Sequence, residues 1–386
     1  MGHNRNWKLP ALILAIAIVL HGGIMKAYAA SGKIAYSEPL IADKTVRGVL
    51  YGAAATPDGG VLLCGGDYYI EIAPPGTKIY PLAMKVTSEG TVEWRTVVDD
   101  EDMQSFVAVN IVQGDQIECA DAIGNFVTFD PASGKYTVKK ACDMTNCFPL
   151  ANGQWFAVKN ITSERPDKVA TEFMLLDEGK NVLWNRVYPE LAGLDTDGLV
   201  ISEQADGSIL VFGTRLENIY DIFSASRVFA RIDQGGQLKE HKEFEWGHVI
   251  FQLFPNEAGF IAIGGPKFNP DNINSSEKIG EIIIVDRQYV PVHIISVQLQ
   301  ENDRLMHLLP IENGYLVRTT QEVLLLDKDG MLVDRKEKPQ VDNANISYGF
   351  LVSSGSCIFY AAQINDQDSK KTGAYRWEVY EVLLQM

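Results

Sequence analysis

Short apolar runs separated by glycine-containing turns recur along the chain. In one half of the pattern a tight turn leads into a strand-like run, as in PDGGVLLCGG at 57–66. The same half recurs as VQGDQIECAD (112–121), ANGQWFAVKN (151–160), ADGSILVFGT (205–214), NEAGFIAIGG (256–265), IENGYLVRTT (311–320) and SSGSCIFYAA (353–362). Copies at intervals of roughly 40–55 residues are typical of short-stranded blades repeated around an axis. The pattern predicts an all-β fold, a seven-bladed β-propeller.

The second half of the repeat is a hairpin whose turn follows an apolar run, as in VTFDPASGKYTV at 127–138. In five of six copies an aspartate follows the apolar run: Asp130, Asp177, Asp233, Asp286 and Asp327. A short carboxylate there accepts hydrogen bonds from the turn's own amides, and a nearby glycine supplies a positive φ. We interpret these aspartates as structural residues of the turns and not as catalytic groups.

The seventh copy lacks one strand after YRWEVYEVLL at 375–384. Since an unpaired blade edge leaves backbone donors and acceptors open, we expect Lys33–Leu40 to supply the outermost strand of the last blade. The propeller then occupies residues 31–386. Its blades are predicted at approximately 46–102, 103–143, 144–194, 195–246, 247–300, 301–340, and 341–386 together with 31–44.

Residues 1–30 are predicted to be a signal peptide outside the fold. Arg5 and Lys8 form a basic segment, 9–20 is a short apolar run, and an AYA motif fits a cleavage site. The apolar run is short for a bilayer span, which favours export with cleavage near Ala29 or Ala30 over an uncleaved membrane anchor. The expected location is secreted or periplasmic, with no membrane insertion after cleavage.

The chain is acidic, with 34 lysine and arginine residues against 50 aspartate and glutamate residues and a formal net charge of −16. Such a surface repels the phosphate backbone of nucleic acids, which argues against nucleic-acid binding. No composition shift or low-complexity tract divides the sequence after Ser31, so we expect one domain.

Five cysteines occur, and their positions decide which of them can pair. Cys142 and Cys147 could close a small loop in an oxidising compartment, and both a disulfide and two separate thiols remain open there. Cys64 and Cys119 occupy the same place in consecutive blades, a separation that argues against the Cα approach of about 7 Å that a disulfide needs. We expect Cys64, Cys119 and Cys357 to be small buried apolar side chains.

Loop lengths distinguish the two faces of the predicted propeller. With the strands of a blade labelled A to D from the axis outward, the A–B and C–D turns are short and lie on one face, the tight-turn face. The B–C and D–A connections lie on the opposite face, the long-loop face, and several are long, such as 66–80 and 213–226. Because loops on a rigid scaffold usually carry binding residues, we predict a ligand site on the long-loop face.

The candidate ligand-binding residues combine aromatic rings with carboxylates, an amide and basic groups. They are Asp67, Tyr68, Tyr69, Arg215, Glu217, Tyr220, Asp221, Trp246, Lys267 and Asn269. Rings stack on apolar surfaces while polar groups fix orientation, a combination that suits a protein or glycan ligand.

No catalytic, metal or cofactor signature accompanies these residues. The histidines outside the predicted signal peptide form no HxH, HExxH or HxxxH motif, and no GxSxG, P-loop or GxGxxG pattern occurs. His307 is expected to be a partly buried, structurally satisfied histidine on an innermost strand. The sequence predicts no metal site and no bound cofactor.

FDPASGK at 129–135 and the GxVxW at 90–94 resemble the repeats of bacterial propellers of the pyrroloquinoline-quinone-like and WD40-like superfamily. The resemblance extends over nearly all of 31–386 and implies a propeller fold. That superfamily includes quinone-dependent dehydrogenases, outer-membrane assembly scaffolds and extracellular binding proteins. This chain departs from the dehydrogenases, because tryptophan closes the hairpin only at Trp94 and Trp184 and vicinal cysteines are missing, so no bound quinone is expected.

Three functions follow, and the sequence leaves them open. The favoured one is an exported module that binds a protein or glycan through its long-loop face. The second is an extracellular polysaccharide hydrolase or lyase with loop carboxylates such as Asp67, Glu217 or Asp221, which needs two carboxyl groups roughly 5–10 Å apart. The third is a non-catalytic scaffold in an envelope complex, which needs an exposed apolar patch.

Overall fold

The computed structural model describes residues 33–43, 48–68, 79–112, 116–140, 144, 146–150, 152–161, 170–194, 199–215, 226–244, 248–256, 259–266, 279–300, 303–341, 344–366 and 375–385. Within them the chain forms 29 strands and a short 3₁₀ helix at Pro189–Leu191. The strands pair into seven antiparallel sheets, and the predicted all-β, seven-bladed propeller is confirmed.

The strands of each blade follow one another from the axis outward. The first two strands of the chain, β1 (Lys33–Tyr36) and β2 (Ile41–Asp43), belong to the last blade. Blade 1 contains β3 (Gly48–Ala55), β4 (Val61–Tyr68), β5 (Ile79–Val86) and β6 (Val92–Val97). Blade 2 contains β7 (Phe106–Ile111), β8 (Ile117–Asp121), β9 (Asn125–Phe129) and β10 (Tyr136–Lys140). Blade 3 contains β11 (Asn146–Pro149), β12 (Trp155–Ile161), β13 (Ala170–Leu176) and β14 (Val182–Val187).

The remaining blades repeat this order. Blade 4 contains β15 (Val200–Glu203), β16 (Ile209–Arg215), β17 (Ser226–Ile232) and β18 (Leu238–Phe244). Blade 5 contains β19 (His248–Asn256), β20 (Gly259–Pro266), β21 (Ile279–Asp286) and β22 (Pro291–Gln298). Blade 6 contains β23 (Leu305–Ile311), β24 (Gly314–Thr319), β25 (Glu322–Asp327) and β26 (Leu332–Glu337). Blade 7 contains β27 (Ala344–Ser354), β28 (Cys357–Asp366) and β29 (Tyr375–Gln385), with β1 outermost.

Each pair of neighbouring blades encloses its own cluster of buried apolar side chains. Among the described residues there are seven such clusters, one at each junction. The junction of blades 7 and 1 combines Leu50 and Met84 with Phe350 and Trp377. The innermost strands β27 and β3 also contact each other there. Because the first and last sheets share a core as the other neighbours do, the sheets close into a ring.

The second strand of a blade is apolar on both faces because both faces are covered. On β4, Leu62 and Cys64 pack toward blade 2, whereas Val61 and Leu63 pack toward blade 7. Successive side chains of a strand point to opposite faces, so a strand between two cores is a continuous apolar run. The outermost strand β10 (YTVKK), by contrast, is mostly exposed.

The aspartates that follow the third strands hold the hairpin turns, as predicted. Asp177 Oδ1 accepts a hydrogen bond from the Asn181 amide at 2.7 Å, and Asp327 Oδ1 accepts one from the Met331 amide at 2.8 Å. The other three aspartates accept equivalent bonds in their own turns. Hydrogen bonds from Asn181 lower the pKa of Asp177. These carboxylates of the tight-turn face are therefore committed to local structure.

Two tryptophans tie an outermost strand to the turn of the next blade. The Trp94 indole on β6 donates to the Pro131 carbonyl, and the Trp184 indole on β14 donates to the Gln234 carbonyl, both at 2.9 Å. Each ring lies over a turn glycine: a Cβ added at Gly134, where φ is +65°, would lie 2.7 Å from the Trp94 ring. The tryptophans at the ends of these two hairpins thus mark junctions between blades.

A buried ion pair joins blades 2 and 3. Glu118 Oε1 on β8 lies 2.7 Å from Lys180 Nζ, and Glu118 Oε2 accepts a hydrogen bond from the Trp155 indole at 2.9 Å. Only 6% of the Glu118 side chain and 3% of the Lys180 side chain are exposed. Because removal of one partner would leave a buried charge uncompensated, this pair strongly favours one alignment of the two sheets.

Blade 7 is assembled from both ends of the described chain. β1 pairs antiparallel with β29, beginning with Lys33 opposite Gln385, and β2 pairs further along the same strand. Ile34 on β1 is buried in the junction with blade 6. Its amide also donates to Asp334 Oδ2 of β26 at 2.7 Å. The segment from Lys33 therefore contributes to the sheet and to the adjoining core.

The junction that closes the ring contains the fully buried Trp377. Its indole donates to the Gly48 carbonyl of blade 1 at 2.9 Å. Beyond the opposite end of β3, the Ser354 hydroxyl donates to the Thr56 carbonyl at 3.1 Å. Polar bonds of blade 7 thus reach the innermost strand of blade 1 and the turn that follows it.

We expect Trp377→Phe to lower the free energy of unfolding by about 2–3 kcal/mol, since it leaves a buried carbonyl unsatisfied and a small cavity. Trp184→Phe is the matched control, because its indole donates to a turn that is largely exposed. Its cost should stay below about 1.5 kcal/mol. Urea unfolding of both variants measures the difference, and equal losses would contradict a special role for the closing junction.

Candidate functional site

An irregularity recurs on the innermost strands of five blades. The pairing of strands A and B shifts by one residue between Leu50 and Gly52 in blade 1. Equivalent shifts occur in blades 2, 5, 6 and 7. Each shift is a β-bulge with one extra residue on the innermost strand. The extra residues are Tyr51, Val107, Phe251, Met306 and Ser347, and we call them the bulge arc.

The bulge makes the residues on either side of the extra residue face opposite junctions. In blade 2, Phe106 packs into the junction with blade 1, whereas Ala108 packs into the junction with blade 3. Val107 between them belongs to neither core and is partly exposed. Tyr51 and Met306 are also partly exposed, and Ser347 is exposed. We infer that the described side chains of the arc lie beside the axis, at the inner edge of their sheets.

The arc belongs to the long-loop face. Each extra residue is among the first four of its strand, and innermost strands begin at the D–A connections of that face. Blades 5, 6, 7, 1 and 2 are consecutive around the ring, so the arc is continuous. In blades 3 and 4 the described innermost strands are only four residues long and pair without a shift. The described arc therefore runs along blades 5, 6, 7, 1 and 2 at the mouth of the axis.

A side-chain amide joins the bulges of blades 7 and 1. Gln363 Oε1 accepts a hydrogen bond from the Leu50 amide at 2.8 Å, and Gln363 Nε2 donates to Ser347 Oγ at 3.0 Å. The Gln363 side chain is buried. Gln363 therefore accepts a hydrogen bond from the backbone amide beside the bulge of blade 1 and binds the extra residue of the bulge in blade 7. These hydrogen bonds stabilise this part of the arc.

Two of the predicted ligand-binding side chains are described, and both form ion pairs within the protein. Asp67 Oδ2 lies 2.8 Å from Arg95 Nη2 in blade 1. Arg215 in blade 4 pairs with Glu243 and also donates to the Glu190 carbonyl. Asp67 and Arg215 are on different sheets with separate partners, so the structure does not bring them into one site.

The structure does not describe the side chains of the other predicted ligand-binding residues. Tyr68 ends β4, where it pairs with Ile79, and only its backbone is described. Outside the described residues lie Tyr69, Glu217, Tyr220, Asp221, Trp246, Lys267 and Asn269. Their assignment to a ligand site stays a prediction.

Two carboxyl groups that the sequence did not single out approach each other in blade 6. Burial raises the pKa of Glu322, the positive charge of Arg335 opposes the shift, and the charge of Asp303 adds to it. Asp303 Oδ1 accepts hydrogen bonds from Thr320 Oγ1 at 2.5 Å and from two amides. Glu322 is only 1% exposed. A pair this enclosed offers no surface to a polysaccharide, so we interpret it as structural.

His307 follows Met306 of the bulge arc and lies on an innermost strand, as predicted. It is more buried than expected, with 2% exposure. Burial and the neighbouring Arg318 charge lower the pKa of His307 to about 3. The imidazole is therefore neutral near pH 7 and belongs to the junction of blades 6 and 7.

The cysteines agree in part with the predictions. Cys64 and Cys119 are fully buried, but Cys357 is only partly buried, because it sits beside the exposed turn of blade 7. Cys147 is buried, with its Sγ 3.9 Å from Met144 Sδ. Cys142 lies outside the described residues, so the proposed bond between Cys142 and Cys147 stays a prediction.

The described part of the chain contains neither a group of metal-binding side chains nor a membrane-spanning helix. No three histidine, cysteine, aspartate or glutamate side chains are grouped there so that they could hold a metal ion. The same residues include no helix with the length and apolar character needed to cross a membrane.

Comparison with known proteins identifies the fold. No protein-family model and no curated protein matches the sequence. Among solved structures, the Neurospora crassa Pan2 WD40 domain matches with a TM-score of 0.52 at 10% identity, over 92% of this chain and 97% of that one. YCF48 bound to D1 peptide matches with a TM-score of 0.51 at 11% identity, over 92% and 96%. The chain has a WD40-type propeller fold.

A propeller also occurs as part of a larger enzyme among these matches. Uncomplexed acylaminoacyl peptidase from Pyrococcus horikoshii has a TM-score of 0.51 at 14% identity, over 86% of this chain and 52% of that chain. This chain thus spans about half the length of the peptidase. Similarity at such low identity supports the fold alone.

The bulge arc is hard to predict from the sequence. Regular alternation would place Phe106 and Ala108 on the same face of the strand, whereas the structure places them in different junctions. The signal is a break of one residue in a short apolar run. Such a break indicates a bulge only when it is known which neighbouring blade each side chain packs against.

The low pKa of His307 predicts a specific dependence of stability on pH. Because the folded value of about 3 lies below the unfolded value near 6.5, its contribution is complete above pH 6.5 and is lost as the pH falls toward 3. Between pH 7 and pH 5 the wild type should lose about 2 kcal/mol more than His307→Gln. His293→Gln, at an exposed position, should keep the wild-type dependence. Urea unfolding at the two pH values tests this, and parallel losses in wild type and His307→Gln would contradict it.

Proposed function

We propose that this protein is an exported binding module whose partner is a protein, recognised through a peptide segment on the long-loop face. The observation that carries the proposal is the bulge arc, which runs over five consecutive blades at the mouth of the axis and whose described side chains are partly or fully exposed. The tight-turn face offers fewer groups for binding a ligand, because its turn aspartates accept hydrogen bonds from the amides of their own turns.

The chemistry of the arc favours a peptide over a glycan. Tyr51, Val107 and Met306 present partly exposed apolar groups that can enclose an apolar side chain. Each innermost strand has a neighbouring strand on only one side of its described sheet. Strand edges of this kind can bond a peptide backbone. Among the described candidates for sugar contacts, Asp67 and Arg215 are both engaged in ion pairs.

Charge points to a basic segment. The chain has a net charge of −16, and the connection that leads into β7 exposes Asp99 and Glu101. An acidic surface attracts lysine and arginine side chains and accelerates their encounter. The preferred partner is therefore a basic peptide that also carries an apolar side chain. The solved structure of YCF48 bound to D1 peptide gives a precedent for a peptide on a similar fold.

Export and membership in the quinone-like group of bacterial propellers are parts of the same proposal. The basic segment, short apolar run and AYA motif support cleavage near Ala29 or Ala30. The FDPASGK hairpin supports the group, as a binding protein without the quinone. Mass measurement of the protein recovered from an expression host with an export pathway tests cleavage. A chain retaining residues 1–30 in the membrane would support the anchor instead.

Met306→Asp tests the site directly. The protein is screened against arrays of peptides and of glycans, and selected ligands are measured by fluorescence anisotropy. We expect basic peptides to bind, and Met306→Asp to weaken them at least about tenfold, as loss of a buried apolar contact does. Met331→Asp makes the same chemical change in the same blade on the tight-turn face, where Met331 is 67% exposed. It should leave the affinity unchanged.

Other outcomes would redirect the proposal. Equal effects of the two substitutions would exclude the arc as the site. Binding of glycans without peptides would favour the glycan partner, and turnover of a polysaccharide would favour the enzyme. Thermal unfolding of both variants must match the wild type for the comparison to hold.

A further inference from the structure

Two cysteines from consecutive blades lie in the same apolar cluster. Cys64 is on β4 and Cys119 is on β8, the second strands of blades 1 and 2. Both have 0% exposure and belong to the core between these blades. Both are separate thiols in this structure and are fully buried, as the sequence analysis expected.

A glycine gives the Cys64 sulfur room at the junction of blades 1 and 2. Gly52 pairs with Cys64, and Val109 pairs with Cys119. A Cβ added at Gly52 would lie 2.8 Å from Cys64 Sγ and 3.6 Å from Val109 Cγ1. The missing side chain therefore leaves room for the Cys64 sulfur over Gly52, on the face of blade 1 that packs against Val109 of blade 2. The Cys64 thiol is close enough to Cys119 across the junction to contribute to the raised pKa of the Cys119 thiol.

The folded environment protects these thiols from reagents. Burial raises the pKa of the Cys119 thiol well above its usual range, and its contact with Cys64 adds to the shift. The thiolate is the form that attacks a disulfide. Exchange in the folded protein should therefore be slow, whereas a chain whose blades have not yet joined exposes both sulfurs.

We propose that Cys64 and Cys119 form a disulfide that links blades 1 and 2 when the chain folds under oxidising conditions. One thiolate attacks the sulfur of a small or protein disulfide oxidant, and one oxidant thiol leaves. The second cysteine thiolate then attacks the mixed disulfide and releases the other oxidant thiol. The two cysteines lose two protons and two electrons, and the oxidant becomes two thiols. The bond is independent of the peptide site.

The disulfide would add a covalent bond to the apolar packing between blades 1 and 2. It closes a loop that includes the inner half of blade 2 and the outer half of blade 1, which reduces the freedom of the unfolded chain. We expect the oxidised protein to unfold at a temperature about 5 °C higher than the reduced protein.

The experiment uses the full chain, unfolded and reduced, then refolded in parallel with reduced glutathione alone and with a mixture of reduced and oxidised glutathione. Free thiols are blocked with N-ethylmaleimide in denaturant, and the protein is digested without reduction for mass spectrometry. The expected product of the oxidised sample is a linked pair of peptides that contain Cys64 and Cys119, which is missing from the reduced sample. Cys357 should be alkylated in both.

Variants identify the partners. Cys64→Ser should abolish the linked pair, leave Cys119 alkylated and remove the difference in unfolding temperature. Cys357→Ser, the matched control, should keep the link. The proposal is overturned if Cys64 and Cys119 are both alkylated in the oxidised wild type, or if either is found joined to a different cysteine. Because the decisive measurement is made on the wild type, poor folding of a variant does not affect it.

Discussion

Every sheet in this protein must bury both of its faces, and each face is buried only by a neighbouring sheet. This requirement links all the blades, because a core between two sheets exists only while both are aligned. Apolar packing supplies the main attraction, while directional bonds favour one alignment. The Glu118–Lys180 pair and the Trp377 indole act in this way at two junctions. The ring then presents two ends of unequal character.

The sequence was a good guide to the features that repeat. The Asp177 turn and its equivalents were recognisable because a turn is local, and its hydrogen bonds form within a few residues. The seven-bladed architecture followed from the same regularity. The pairing of Lys33–Tyr36 with the last strand is also seen. It was foreseeable because the seventh repeat was one strand short.

Features that depend on neighbouring blades were harder to predict. The room that the Cys64 sulfur has at the junction of blades 1 and 2 depends on Gly52 of β3, a residue that has no special appearance in the sequence. Asp67 was chosen by residue type, but its ion pair with Arg95 depends on the path of a strand D located elsewhere in the sequence. The bulge arc was missed for the same reason, since a shift of one residue is decided by packing on both sides.

The pairing of β1 with β29 has a consequence for biosynthesis. β1 is synthesised early in this domain, but it can pair only after β29 has been synthesised. Until then Ile34 has no complete core to enter, and the last sheet has an open edge. A chain interrupted before β29 would leave both of these surfaces uncovered. Synthesis of β29 is therefore the step that covers the edge of the last sheet and the side chain of Ile34 at the same time.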